Sequence, residues 1–216
     1  LARMEREGSL DRLAVAVAAL EALPAADSPI ALFASRHAGG TKALDGTPLD
    51  RLLLRAIALW QGEARPTNSE ERRLLWERVG VVPDDLASHV LVLNLSTAGD
   101  RPIDGFLRAC RAEGLPARLT LQQLVRVPPT WTDELVFVCE NPAVLRLAAE
   151  RLGPRSAPLI ATEGRPSVAF WRLLACGGPR RLLVHADFDA AGLEIAGSVI
   201  ERAGGEPWRF DRASWQ

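Results

Sequence analysis

Three carboxylates stand where strand ends commonly carry chemistry. Glu140 follows the apolar run Leu135-Val136-Phe137-Val138-Cys139, while Asp187 and Asp189, separated by Phe188, follow Leu182-Leu183-Val184-His185. Residues two apart in an extended segment point to the same side, so the two aspartates can face one space. Hard oxygen donors converging without cysteine or histidine partners suit Mg2+ or Mn2+. Each residue also has a plainer role. Asp187 or Asp189 can cap the helix that follows, and Glu140, just before Pro142, can complement a helix dipole. His185 can share the face of Asp187 as a ligand or proton-transfer group, or can simply pack. After a further extended piece, Glu163-Gly164-Arg165-Pro166-Ser167 can hold a phosphate through Gly164, Arg165 and the helix start at Ser167, or can be a loop that Ser167 caps.

The elements that must position these residues can be read from hydrophobic spacing. From Leu135 onward strands and helices alternate: strands at Leu135–Cys139, Pro158–Ala161, Arg181–His185 and Glu206–Phe210, with helices at Pro142–Leu152, Ser167–Ala175 and Ala191–Ala203 between them. Such alternation implies right-handed crossovers and a buried parallel sheet, whose ligands bind at the carboxyl ends of the strands. Upstream, helices are expected over Leu10–Leu23, Ile30–Arg36, Leu49–Trp60 and Glu70–Val79, with Ser9 or Asp11 as cap of the first and Gly80 ending the last. The middle is mixed, with a strand at His89–Leu95, a helix at Arg101–Glu113, an extended piece at Pro116–Thr120 and a helical turn at Leu121–Val127. Pro128-Pro129 interrupts regular structure and marks the expected junction near Trp131. The fold class is therefore α/β: a parallel sheet flanked by helices over 131–216, preceded over 1–130 by a region helical at first and then α/β.

Composition narrows the functions. The 216 residues, 48% of them hydrophobic, can bury a real core, and no apolar run approaches the ~20 residues that a membrane helix needs. Three separated cysteines without a Cys-x-x-Cys pair fit a reducing, cytoplasmic compartment. A net charge of −1 predicts weak, salt-sensitive DNA binding by the isolated chain. Leu1 is not an initiator Met and no signal peptide pattern follows, so a trimmed or partial chain is expected.

These residues resemble a known pattern. A strand, Glu140, two strand-helix units and then Asp187-x-Asp189 resembles the toprim domain of topoisomerases, primases and several nucleases. More narrowly, Cys139-Glu140-Asn141-Pro142, Gly164-Arg165-Pro166-Ser167, His185-Ala186-Asp187-Phe188-Asp189 and Pro207-Trp208-Arg209 resemble the C-terminal domain of the JetD or MksG type subunit of Wadjet plasmid-defence systems. Lys42-Ala43-Leu44-Asp45-Gly46-Thr47-Pro48-Leu49 and Leu91-Val92-Leu93-Asn94-Leu95 resemble the companion region of that family. The resemblance implies a nuclease that uses Mg2+ or Mn2+ on Glu140, Asp187 and Asp189. Its implied partners are DNA, circular or plasmid, and the subunits of an SMC-like ATPase complex; a second copy of the chain can join them, and no membrane is expected. Ala186, where relatives often carry glycine, and Glu163, where a small polar residue is common, depart from the pattern. The extra carboxylate of Glu163 can bind metal or repel phosphate.

Two other readings compete with this one. A haloacid-dehalogenase-like phosphatase also uses Asp-x-Asp after a strand, but on an early strand and with a downstream lysine, and no lysine follows Asp189. A toprim-like module that binds DNA or partner proteins without turnover is the alternative that stays open. The chain has no tyrosine, so a topoisomerase that attaches itself to DNA through tyrosine is excluded for this chain alone.

Overall fold

The computed structural model describes the backbone of residues 2–82 and 84–210, with side chains for the same residues apart from 2–10 and 70. The chain divides into two compact units, residues 1–85 and 86–216.

The first unit is built from helices α1 (Ala2–Glu21), α2 (Ile30–His37), α3 (Pro48–Gln61) and α4 (Ser69–Arg78), with a parallel pair of two-residue strands, β1 (Ser28–Pro29) and β2 (Val81–Val82). Helix α1 runs through the position where Ser9 or Asp11 was expected to cap it; Ser9 itself lies outside the described side chains. Helix α3 starts where the sequence asks for it. The Thr47 hydroxyl accepts the Asp50 amide at 3.1 Å, Pro48 occupies the first turn, and Gly62 closes the helix at φ 67°. Its inner stripe of Leu53, Leu54, Ile57 and Ala58 packs into a core with Ala19, Phe33, Leu44, Leu75 and Trp76. Inside that core Asp50 is fully buried, accepting from Trp76 Nε1 at 3.1 Å and from Arg72 Nε at 2.9 Å.

The second unit carries a six-stranded sheet. Its strands are β3 (His89–Leu93), β4 (Ala117–Thr120), β5 (Leu135–Cys139), β6 (Leu159–Ala161), β7 (Arg181–His185) and β8 (Glu206–Pro207), in the spatial order β4-β3-β6-β5-β7-β8. β5 to β8 are mutually parallel, as the alternation predicts, while β3 pairs antiparallel with both β4 and β6. The helices are α5 (Pro102–Glu113), α6 (Leu121–Arg126), α7 (Pro142–Leu152), α8 (Val168–Ala175) and α9 (Ala190–Ala203). β5→α7→β6 steps one way across the sheet, whereas β6→α8→β7 and β7→α9→β8 step the other. Right-handed crossovers therefore put α7 on one face and α8 with α9 on the opposite face. Arg202 of α9 stacks over the Trp171 ring of α8 at 3.8 Å, in accord with that layering. Both faces of β5 are covered, hence its unbroken apolar sequence.

The expected junction near Trp131 is a correction. Pro128-Pro129 does interrupt regular structure, but it links α6 to β5 inside one unit, because β3 and β4 belong to the same sheet as β5. The segment is also tied down. Thr130 N donates to the buried carboxylate of Asp104 at 2.9 Å, Ala98 N donates to Thr130 O at 2.9 Å, and Thr132 N donates to Ser96 O at 2.9 Å. Trp131 is buried, its indole N–H donating to Leu173 O at 3.2 Å. The division falls instead at Asp85–Leu86. The last strand is also shorter than expected, ending at Pro207 rather than Phe210.

Candidate active site at the carboxyl end of the sheet

β5 and β7 are neighbours in parallel register, with Val138 opposite Val184 and Cys139 opposite His185. From this pair the chain leaves in opposite directions: toward β6 after β5, and toward β8 after β7. The gap between their carboxyl ends is thus a topological switch point, where open α/β sheets bind ligands because the crossovers diverge and leave a crevice.

Glu140 and Asp187 stand on either side of that crevice. The ladder runs one residue past the strands: Glu140 N donates to His185 O at 3.2 Å, and Glu163 N donates to Glu140 O at 3.0 Å. So pinned, Glu140 reaches across with its side chain, and Oε2 accepts the Asp187 amide at 3.2 Å. The cap of α7 is the next residue, Asn141, whose Oδ1 accepts from Ala143 N at 2.9 Å. That division of labour leaves the Glu140 carboxylate for the crevice.

Asp187 is exposed, and its carboxylate has no ion pair or hydrogen bond among the described residues. Asp189 does cap a helix: Oδ1 accepts from Gly192 N at 2.7 Å at the start of α9. Its second oxygen points to no partner among the described residues. The three acids therefore share one end of the sheet but are not drawn together. Among the described residues no three Asp, Glu, His or Cys side chains form a group that could hold a metal as they stand. The donor set itself, oxygens on exposed or half-buried carboxylates, fits a divalent cation such as Mg2+ or Mn2+.

The remaining candidates have other partners. His185 lies in an aromatic cluster with Phe188, Trp208 and Phe210, ring centroids about 6 Å away. Its Nδ1 is 3.2 Å from Trp208 O. A carbonyl only accepts, so Nδ1 carries the proton and the ring is oriented by packing. Glu163, at φ 56°, is bound by Arg118 Nη2 at 2.7 Å and lies 3.4 Å from His89 Nε2. Its charge is compensated there instead of joining the other three acids. Ser167 caps α8, accepting from Phe170 N at 3.1 Å and donating to His89 O at 2.7 Å. Arg165 makes an exposed pair with Glu194 at 3.3 Å, next to Gly164 at φ 97°.

Gly192 is the residue that sequence reasoning passed over. A Cβ there would stand 2.0 Å from Asp187 O and 3.0 Å from Asp187 N, so only glycine lets the first turn of α9 seat against the Asp187 backbone. Its amide also holds Asp189. The available signal was an isolated glycine inside a helical pattern, which costs about 1 kcal/mol relative to alanine and so asks for a packing reason.

Comparison with curated proteins finds no match. Residues 1–97 match the family model described as protein of unknown function N-terminus (DUF3323), and residues 117–216 match that described as protein of unknown function C-terminus (DUF2399), the part that carries Glu140, Asp187 and Asp189.

Proposed function

We propose that this chain is the nuclease subunit of a JetD/MksG-type, SMC-associated plasmid-defence complex, hydrolysing DNA phosphodiester bonds with Mg2+ or Mn2+. The observation that carries the reading is the pairing of Glu140 with Asp187 across the β5/β7 switch point. The matched DUF3323 and DUF2399 parts, which JetD/MksG-type proteins contain, support the family assignment.

In this mechanism Asp187 and Asp189 would hold the divalent cation, which when bound would polarise the phosphate and lower the pKa of water. Glu140, half-buried and with its backbone fixed by the ladder, is the base that takes the proton from the attacking water. The new bond joins the water oxygen to phosphorus, and the bond to the departing sugar oxygen breaks. The absence of tyrosine accords with direct hydrolysis, which needs no covalent enzyme intermediate.

One observation favours the second reading, a non-catalytic module: the acids are not converged, and Asp189 already serves as a cap. A plasmid cleavage assay with and without Mn2+, in the presence of the partner ATPase complex, separates the two. Cleavage by the native chain that is lost in Asp187→Asn and Glu140→Gln supports the nuclease; DNA binding without any cleavage supports the module.

A further inference from the structure

The helical unit has a cationic groove that the proposed nuclease site does not use. Arg51 and Arg55, four apart on α3, are exposed on the helix flank beside the buried stripe of Leu53, Leu54, Ile57 and Ala58. Arg12 and Leu13 of α1 and Arg65, just beyond α3, complete with Pro48, Leu49 and Leu52 the wall of a groove of about 510 Å³. Among the described residues four guanidinium groups line it and no carboxylate does. All four arginines are exposed. Arg51 is braced by donating to Gly46 O at 2.8 Å, and neither Arg55 nor Arg65 has an ion pair among the described residues. The contrast with α4 is direct: Arg72, Arg73 and Arg78 are each paired with a carboxylate, Asp50, Glu77 and Glu63. In a chain whose acids and bases nearly cancel, Arg51, Arg55 and Arg65 bring positive charge to this groove with no ion pair among the described residues.

We infer that this groove binds the phosphodiester backbone of duplex DNA, independently of sequence; taking DNA as the ligand rests on the nuclease reading. Guanidinium forks match phosphate oxygens in bidentate geometry and are weakly hydrated, so they pair with phosphate at little desolvation cost. Residues four apart on a helix lie about 5–6 Å apart at Cβ, close enough for Arg51 and Arg55 to engage one strand together. Phosphate contacts position a duplex and carry no sequence information. Three or four of them give weak, salt-dependent affinity, which reconciles a DNA substrate with a net charge of −1.

The test measures binding of a fluorescein-labelled duplex of arbitrary sequence to the full chain by anisotropy, in EDTA and over a range of NaCl concentrations. Arg51→Gln/Arg55→Gln is expected to weaken binding about 10-fold or more at low salt and to lower the slope of log affinity against log salt by about 1.8. Arg51→Lys/Arg55→Lys should keep that slope, and Arg78→Gln on α4 should behave as the native chain. Circular dichroism melts confirm that each variant is folded. Unchanged affinity and slope in the Gln double variant overturns the proposal, as does the absence of duplex binding by the native chain. So does retention of duplex binding with loss of a poly-glutamate peptide, which would make the groove a site for an acidic protein. Binding in EDTA is separate from cleavage. A chain that binds through the groove without cutting defeats the nuclease reading alone, and one that cuts with the groove arginines dispensable for binding defeats the groove alone.

Discussion

Asp50 in the helical unit and Asp187 in the sheet unit are the same side chain put to opposite uses. Asp50 is fully buried, and Arg72 and the Trp76 indole donate to its two oxygens. Asp187 is exposed at a switch point, with a carboxylate that no described residue engages. A buried charge persists only when its partners replace water. An exposed strand-end carboxylate contributes little to folding and is available to a ligand. Asp104, buried and accepting from Thr130 N and Arg101 N, falls with Asp50. Position and satisfied hydrogen bonds, rather than residue type, separate the two classes.

The largest effect should come from breaking the structural member. Asp50→Ala leaves Arg72 and the Trp76 N–H without their acceptor and should cost about 3–5 kcal/mol in urea unfolding. Asp187→Asn should leave the unfolding midpoint within about 0.5 kcal/mol of native while lowering metal-dependent cleavage by about 100-fold or more. An Asp187→Asn variant that unfolds early, or cleaves normally, would erase the distinction.

Gly192→Ala sharpens the comparison from the backbone side. Replacing a helical glycine by alanine ordinarily gains about 1 kcal/mol. Here the new methyl meets the Asp187 carbonyl, so a loss of about 1–3 kcal/mol and a fall in cleavage are expected together.

Asp189 belongs to both classes, and two substitutions divide its roles. Asp189→Ala removes the cap of α9 and should cost about 1 kcal/mol. Asp189→Asn keeps a capping oxygen and so should keep stability, yet still lose cleavage if the charge holds the cation. Equal activity of Asp189→Asn and the native chain would reduce this residue to a cap.

The smallest effect concerns Cys139, whose thiol burial pushes up to about 12. Raised above its unfolded value of 9.0, it holds its proton in the folded state. Its contribution to stability is complete below pH 9 and is lost between pH 9 and about 12. At pH 8, iodoacetamide should leave Cys139 unmodified until the chain is unfolded.

Much of this was legible in the sequence because it is local. The apolar run of β5 and the cap at Ser167 follow from side-chain chemistry within a few residues. The placement of Glu140 and Asp187 at strand ends was read the same way. What was not legible depends on contacts distant in sequence. The return of β3 and β4 to pair beside β6 moved the unit boundary away from Pro128-Pro129. The compensation of Glu163 by Arg118 spans 45 residues. The need for glycine at 192 exists only once α9 is seated against the Asp187 backbone.

The shortness of β8 bears on how the molecule behaves at high concentration. Among the described residues it is the last strand on its side of the sheet, two residues long, and one of them, Pro207, has no amide hydrogen to offer. Glu206 is occupied by a two-point pair with Arg181 of β7. A border so brief, charged and poor in donors is a weak template for a strand from another molecule, so it discourages edge-to-edge aggregation without a covering element.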